Sequence, residues 1–318
     1  MSSYILNNSA ALSALQSLNM TQSALAMTQK EVSSGLSVSS AADNAAYWSI
    51  ATQLNSNSTI TSAANSAISQ SQAILDTATT AVKQIITTIQ AIQTALTEAA
   101  NPGANYTNIN ATLAQKGQEL TDAVNGAYFN GVNVLDGSQA TGGNTSVSFV
   151  SGYYATSTNQ TTSSGGTQYG LDVTTVGLTL QTVYTPSSGG AGTGLLVGTG
   201  TTSTAGTYDL TQLGSSSGGG TAVSATNAQD ILTAVSASLS SLTNYAATIG
   251  ATQDRLSAIT SLNSQLTTNY ANGVAGLVDA DMNQASTRLQ ALQTQQQLGI
   301  QSLSIANQNA QLILKLFP

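Results

Sequence analysis

An apolar register that advances by alternating steps of three and four residues dominates this chain. In its N-terminal part the register runs through Ile50, Leu54, Asn57, Thr61, Ala64, Ile68, Ser71, Leu75, Ala78, Val82, Ile85, Ile89, Ile92 and Leu96. The mean step is that of a coiled-coil seam, so the pattern predicts one continuous helix over about 45–100. Such a helix is roughly 80 Å long at 1.5 Å per residue. Asn101-Pro102-Gly103 should stop it, because proline and glycine both interrupt helix propagation. The register is weak at Asn57, Thr61 and Ser71 and strong from Leu75 onward.

A similar register opens the chain at Leu15, Leu18, Gln22, Leu25, Gln29, Val32 and Leu36, with a hinge or loop expected at 33–44, where Ser33-Ser34-Gly35 breaks it. After the Pro-Gly break, Ile109, Leu113, Leu120 and Val124 mark a shorter helix. From Phe129 to Asp136-Gly137, alternating apolar residues between Asn-Gly and Asp-Gly pairs predict a hairpin. A second long register runs through Ile231, Val235, Ser238, Leu242, Tyr245, Ile249, Thr252, Leu256, Ile259, Asn263, Leu266 and Tyr270, with an interruption expected at Gly273 and Gly276. The last stretch carries two apolar stripes. One is Leu289, Leu292, Gln296, Gly299, Leu303, Ala306, Ala310, Ile313 and Phe317; the other is Leu298, Ile305 and Leu312. A helix apolar on two sides needs partners on both. A monomer of this size does not obviously supply them, which points to assembly.

Between the helical ends, residues 139–225 change character. Gly, Ser and Thr dominate, and short β-prone pieces occur at 146–150, 169–173, 176–180 and 194–197. The segment reads as a small β-rich insert with flexible loops, low-complexity disorder being the alternative. The fold class is therefore mainly α: long N- and C-terminal helices forming a coiled-coil-like core and rod, with a β-hairpin and a variable β-rich central insert.

Composition sharpens this picture. Only 6% of the 318 residues are charged, with a net charge of −7, far below the roughly 25% of ordinary soluble proteins. Weakly charged surfaces associate readily, which suits subunits that pack against many copies of themselves. The six basic residues are scattered singly, which excludes a phosphate-binding face for nucleic acid. With no His and no Cys, catalytic triads, Cys-His pairs and His-rich zinc sites are impossible. No catalytic, cofactor or metal residues are assigned. Asp279 and Asp281 read as caps of the following helix rather than an acid–base pair. Glycine runs at 189–190 and 218–220 read as loops, since no Lys-Ser/Thr follows. Tyr47 and Trp48 read as packed residues at the start of a helical domain. The residues Met1–Asn8 have neither a basic region nor an unbroken apolar stretch, and no apolar run of membrane-spanning length occurs, so neither a cleavable signal peptide nor a membrane partner is expected.

Several segments resemble one family. Ser33–Ala46 (SSGLSVSSAADNAA) is similar to the flagellin segment joining two helical core domains, and Phe129–Leu135 (FNGVNVL) to the flagellin hairpin. Leu277–Asp281 (LVDAD) resembles the acidic turn before the terminal helix, and Gln293–Gly299 with Ser304–Ala310 resemble that helix itself. Asp43–Ala51 (DNAAYWSIA) is most similar to flagellins of rhizobium-like alphaproteobacteria. The resemblance covers about 1–138 and 226–318 and leaves the middle unmatched.

It implies three domains: an inner helical core from 1–40 plus 279–318 lining a filament channel, a helical rod from 41–138 plus 226–278, and an outward, surface-exposed insert at 139–225. It also implies a homopolymer at the cell exterior, exported through the flagellar type III channel. A chaperone would hold the C-terminal segment, and filament cap and hook-junction proteins would be further partners. The expected subunit-packing residues are Leu15, Leu18, Leu25, Val32, Leu289, Leu292, Leu298, Leu303, Ile305, Leu312, Ile313 and Phe317. The expected rod core is Leu75, Val82, Ile85, Ile89, Ile92, Leu96, Leu256, Ile259 and Leu266. Where many flagellins carry charged residues read by an innate receptor, this chain has Ala91, Gln93 and Thr94, so recognition by that receptor is expected to be weak. Two rival readings remain at this stage: a hook–filament junction protein, and a secreted enzyme or carbohydrate-binding module whose insert aromatics (Phe149, Tyr153, Tyr154, Tyr169, Tyr184, Tyr208) stack sugars.

Overall fold

A computed structural model describes residues 8–138, 146–155, 160–161, 167–168, 171–184, 193–199, 207–214 and 221–316. Five helices dominate: α1 (Ser9–Ser34), α2 (Ala45–Ala99), α3 (Tyr106–Gly126), α4 (Ala228–Val278) and α5 (Met282–Leu316). Between α3 and α4 lie β1 (Tyr128–Phe129), β2 (Val132–Asn133), β3 (Ser146–Ala155), β4 (Gln160–Thr161), β5 (Thr167–Gln168), β6 (Leu171–Thr179), β7 (Val197–Thr199) and β8 (Thr207–Asp209). They pair as four two-stranded antiparallel ladders: β1 with β2, β3 with β6, β4 with β5, and β7 with β8. The chain divides into two compact units, residues 1–59 with 267–318, and residues 60–266. Both α2 and α4 contribute to each.

In the larger unit the three-four register becomes a buried seam. Ala64, Ile68, Ser71, Leu75, Ala78, Val82, Ile85, Ile89, Ile92 and Leu96 of α2 are all buried. On α4, so are Ile231, Val235, Ser238, Leu242, Tyr245, Ile249, Thr252, Leu256 and Asn263, whereas Ile259 and Leu266 are partly buried. The two helices run antiparallel: Gln93 Nε2 donates to Ser236 Oγ at 3.3 Å, Gln253 Nε2 to Asp76 Oδ1 at 2.7 Å, and Gln72 Nε2 to Ser257 Oγ at 3.2 Å. Two of the polar seam positions are satisfied within their own helices. Ser71 donates to the Ala67 carbonyl at 2.9 Å and Thr252 to that of Thr248 at 2.8 Å. Back-bonding of this kind silences a hydroxyl at the cost of a slight bend.

Helix α3 adds Ile109, Leu113, Leu120 and Val124 to the same core. The β1–β2 turn is Asn130-Gly131, both with positive φ (47° and 86°), the geometry that two-residue hairpins favour. The hairpin is shorter than its sequence pattern suggests. Beyond Asn133 the chain turns inward, because Asn133 Nδ2 donates to the Val124 carbonyl at 2.8 Å while its Oδ1 accepts from the Leu135 amide at 2.8 Å. Val134 and Leu135 are thereby buried.

Residues of or beside β3, β6, β7 and β8 are buried in this core. Phe149, Val176, Leu178, Leu196, Tyr208 and Leu210 belong to the same cluster as Ile85 and Leu242. A bulge between Val150 and Gly152 interrupts the β3–β6 ladder at Ser151, and the Ser151 carbonyl accepts from Asn263 Nδ2 of α4 at 3.2 Å. That bond accounts for an asparagine in the apolar seam. The chain returning to α4 is clamped by Asn110, whose Nδ2 donates to the Val223 carbonyl (3.1 Å) and whose Oδ1 accepts from the Val223 amide (2.8 Å).

Two expectations are corrected here. Gly273 and Gly276 do not interrupt α4, which continues to Val278. A Cβ at Gly273 would lie 3.3 Å from Leu54 Cδ1, so the glycine makes room for a neighbouring leucine. Ile50 is exposed, and Ala51 takes the buried position instead.

Candidate functional site: the outward faces of the terminal helices

The smaller unit packs α1 against α5. Asn8 begins α1: its Oδ1 caps the helix by accepting from the Ala11 amide at 3.0 Å, and its Nδ2 donates to the Ala306 carbonyl of α5 at 3.1 Å. Midway, a Cβ at Gly299 would lie 3.3 Å from Leu18 Cδ1. At the far end Gly35, left-handed at φ 72°, closes α1, and its carbonyl accepts from the Ala280 amide at 2.9 Å. The two helices are therefore antiparallel. Asp281 caps α5 as expected, accepting from the Asn283 amide at 2.9 Å and the Gln284 amide at 3.3 Å. Asp279 instead pairs with Leu36 in an isolated bridge.

The connector after α1 is organised by Asp43. Its Oδ2 accepts from the hydroxyls and amides of both Ser39 and Ser40 at 2.9–3.0 Å. Lys30 Nζ stands 3.7 Å away. The serine hydroxyl bonds, foremost among the causes, hold this exposed carboxyl down at about 2 against an ordinary 3.8. Asn44 then caps α2, its Oδ1 accepting from the Ala46 and Tyr47 amides. Tyr47 and Trp48 are exposed rather than packed.

The α1–α5 seam is thin. Leu18, Leu25 and Val32 are only partly buried, as are Leu289, Leu292 and Leu303 across from them. The buried positions on α1 are Thr21 and Thr28, whose hydroxyls back-bond to Ser17 and Ala24. Among the described residues, no apolar side chain of α1 is fully buried, and on α5 only Ala285 is. In contrast, Leu12, Leu15, Met20 and Met27 on α1 and Leu298, Ile300 and Ile305 on α5 are 47–73% exposed. Leu12, Leu15, Met20 and Met27 line a shallow uncharged groove with Gln16, Asn19 and Ser23. Leu298 and Ile305 are seven apart on one flank of the α5 seam, and Met20 and Met27 stand likewise on α1. The side chains of Leu312 and Ile313, and the whole of Phe317, lie outside the described residues.

Elsewhere, the expected rod-core residues Leu75, Val82, Ile85, Ile89, Ile92, Leu96 and Leu256 converge in one buried cluster, against which Ile259 packs. Ala91 and Thr94 are exposed, and Gln93 bonds to Ser236. Of the insert aromatics, Phe149, Tyr184 and Tyr208 are buried in the core and offer no stacking platform to a sugar; Tyr153 is exposed, Tyr169 lies outside the described residues, and so does the side chain of Tyr154.

Long terminal helices around a short-stranded middle, with apolar faces turned to solvent, define a class of helical structural proteins. The bacterial flagellin N-terminal helical region matches residues 5–140, and the bacterial flagellin C-terminal helical region matches residues 232–317. Flagellin C of Rhizobium meliloti is 38% identical over 323 residues, covering 98% of both chains. A flagellin of Brucella melitensis is 34% identical over 324 residues at the same coverage, and flagellin FljM of Caulobacter vibrioides 31% identical over 316 residues, with 98% of this chain covered and 97% of its own. The chain belongs to the bacterial flagellin family, whose members are structural proteins and not enzymes.

Proposed function

We propose that this flagellin polymerises with copies of itself into the extracellular filament used for swimming, and that α1 and α5 form its principal subunit contacts. The observation that carries this reading is the contrast between the two units. The larger one buries most of its apolar seam, with only Ile259 and Leu266 partly covered, whereas the α1–α5 pair leaves its apolar side chains exposed or half covered. Burying one leucine or isoleucine contributes about 1.5–3 kcal/mol. Exposed side chains on both helices, summed over neighbouring copies, outweigh the entropy of ordering a subunit. Leu15, Leu298 and Ile305 serve as outward contacts; Leu18, Leu25, Val32, Leu289, Leu292 and Leu303 hold the pair together; Leu312, Ile313 and Phe317, assigned from the sequence pattern, are further subunit contacts.

The inner core (1–40 plus 279–318), the rod (41–138 plus 226–278) and the outward insert (139–225) are the working division in the polymer. Export runs through the flagellar type III channel, and a chaperone shields the C-terminal stripe until release. Filament cap and hook-junction proteins meet the same surface. Activation of the innate flagellin receptor is weak, because Ala91, Gln93 and Thr94 supply no charge; a reporter assay with purified monomer should give a reduced response, and a full-strength response contradicts this.

Assembly itself is tested by truncation. Purified full-length chain seeded with filament fragments should elongate under electron microscopy, and chain lacking residues 300–318 should not. Normal filaments from the truncated chain overturn the role given to α5.

A further inference from the structure

Every methionine among the described residues is exposed: Met20 at 62%, Met27 at 69% and Met282 at 43%. Two of them stand seven apart on the outward flank of α1, each one residue before a buried threonine of the seam, Thr21 and Thr28. The inner positions are filled by short, back-bonded hydroxyl residues, and the large polarisable side chains are turned outward. A thioether is soft and adaptable, which suits a surface that must fit a partner copy. It is also the only oxidisable sulfur in this sequence, which has no cysteine.

Resting on the assembly reading above, we infer that Met20 and Met27 form an oxidation site, with a peroxide as oxidant, that governs whether the free subunit can join the polymer. In the step, a methionine sulfur lone pair attacks one peroxide oxygen. The S–O bond forms, the O–O bond breaks, and for hydrogen peroxide the second oxygen leaves as water after proton transfer. Sulfur is oxidised by two electrons and the peroxide is reduced by two. The product is a polar, chiral sulfoxide in place of an apolar thioether, reversible by methionine sulfoxide reductases. The free subunit is open to attack, since both side chains face solvent. A subunit whose α1 groove is covered by a neighbouring copy is protected. Sulfoxides at both positions place two polar groups where the neighbour requires apolar contact, and addition to the filament end fails.

The test uses full-length protein, as monomer and as filament, exposed to hydrogen peroxide. Peptide mass spectrometry reads sulfoxide at Met20, Met27 and Met282, and the critical concentration of each sample is then measured. Monomer should oxidise at Met20 and Met27 and its critical concentration should rise by about tenfold or more, with recovery after reductase treatment. Filament should be oxidised far more slowly at these two positions than monomer. In M20L/M27L, whatever its own critical concentration, peroxide should cause no shift; in M282L the shift should persist. Doubly oxidised monomer that assembles at the unoxidised critical concentration overturns the inference while leaving the assembly reading intact. Equal oxidation of Met20 and Met27 in monomer and filament also overturns it. If unoxidised chain forms no polymer at all, the assembly reading fails and the inference with it.

Discussion

Asp43 shows how much one carboxylate can organise in a chain with so few charges. Four donors from Ser39 and Ser40 converge on one oxygen and shape the connector between α1 and α2. Because its folded value is lowered, the stabilisation is complete above the ordinary value of 3.8 and is lost as pH falls from there through about 2. Carbon-detected NMR titration should place the Asp43 midpoint near the lowered value, and S39A/S40A should return it towards the ordinary one. An unchanged midpoint in that double variant would contradict the hydrogen-bond cause. Gly117 is a second decisive residue: a Cβ there would overlap the Thr211 carbonyl oxygen. G117A should destabilise the chain by about 1–3 kcal/mol, despite alanine's better helix propensity, as read by urea unfolding. A capping acid before α5 was legible in the sequence, but the pattern assigned the role to Asp279 and Asp281 alike, and only Asp281 holds the helix amides. The exposure of Tyr47, Trp48 and Ile50 was not, because periodicity marks an apolar face without saying whether a partner within the same chain covers it.

Between elements, the same three-four spacing gives two outcomes. From Ala64 to Leu96 of α2 and from Ile231 to Leu256 of α4 it closes into a buried seam; along α1 and α5 it leaves a half-covered one. I89A should cost about 2–5 kcal/mol, because the isoleucine is fully buried. I305S, at an exposed position, should change monomer stability by no more than about 0.5 kcal/mol. Thermal or urea unfolding of the monomers would compare the two directly, and equal losses would contradict the distinction between the surfaces. The buried seam was readable almost position by position from Ala64 to Leu96, because the step of three and four persists across it. The continuation of α4 through Gly273 was not. A helical glycine costs roughly 1 kcal/mol in isolation, and the neighbour that a Cβ there would crowd, Leu54, lies more than two hundred residues earlier in the sequence. The sharing of one core between the central strands and the long helices was equally hidden. Short apolar pieces such as 176–180 show that a face is buried without naming the element that covers it, and the Ser151–Asn263 bond joins residues 112 apart.

At the scale of the whole molecule, low charge, outward apolar stripes and a pair of terminal helices with a thin mutual seam all fit the proposal that α1 and α5 are completed by other copies. The larger unit has far less need of such completion, because most of its seam is already buried. The most direct test is sedimentation of purified full-length protein and of L298S/I305S, each across a range of concentrations, with circular dichroism to confirm retained helix. The native chain should shift from monomer to long polymer above a critical concentration, and the double variant should stay a folded monomer at the same concentrations. A double variant that polymerises as readily as the native chain would contradict the claim that these outward stripes hold the subunits together.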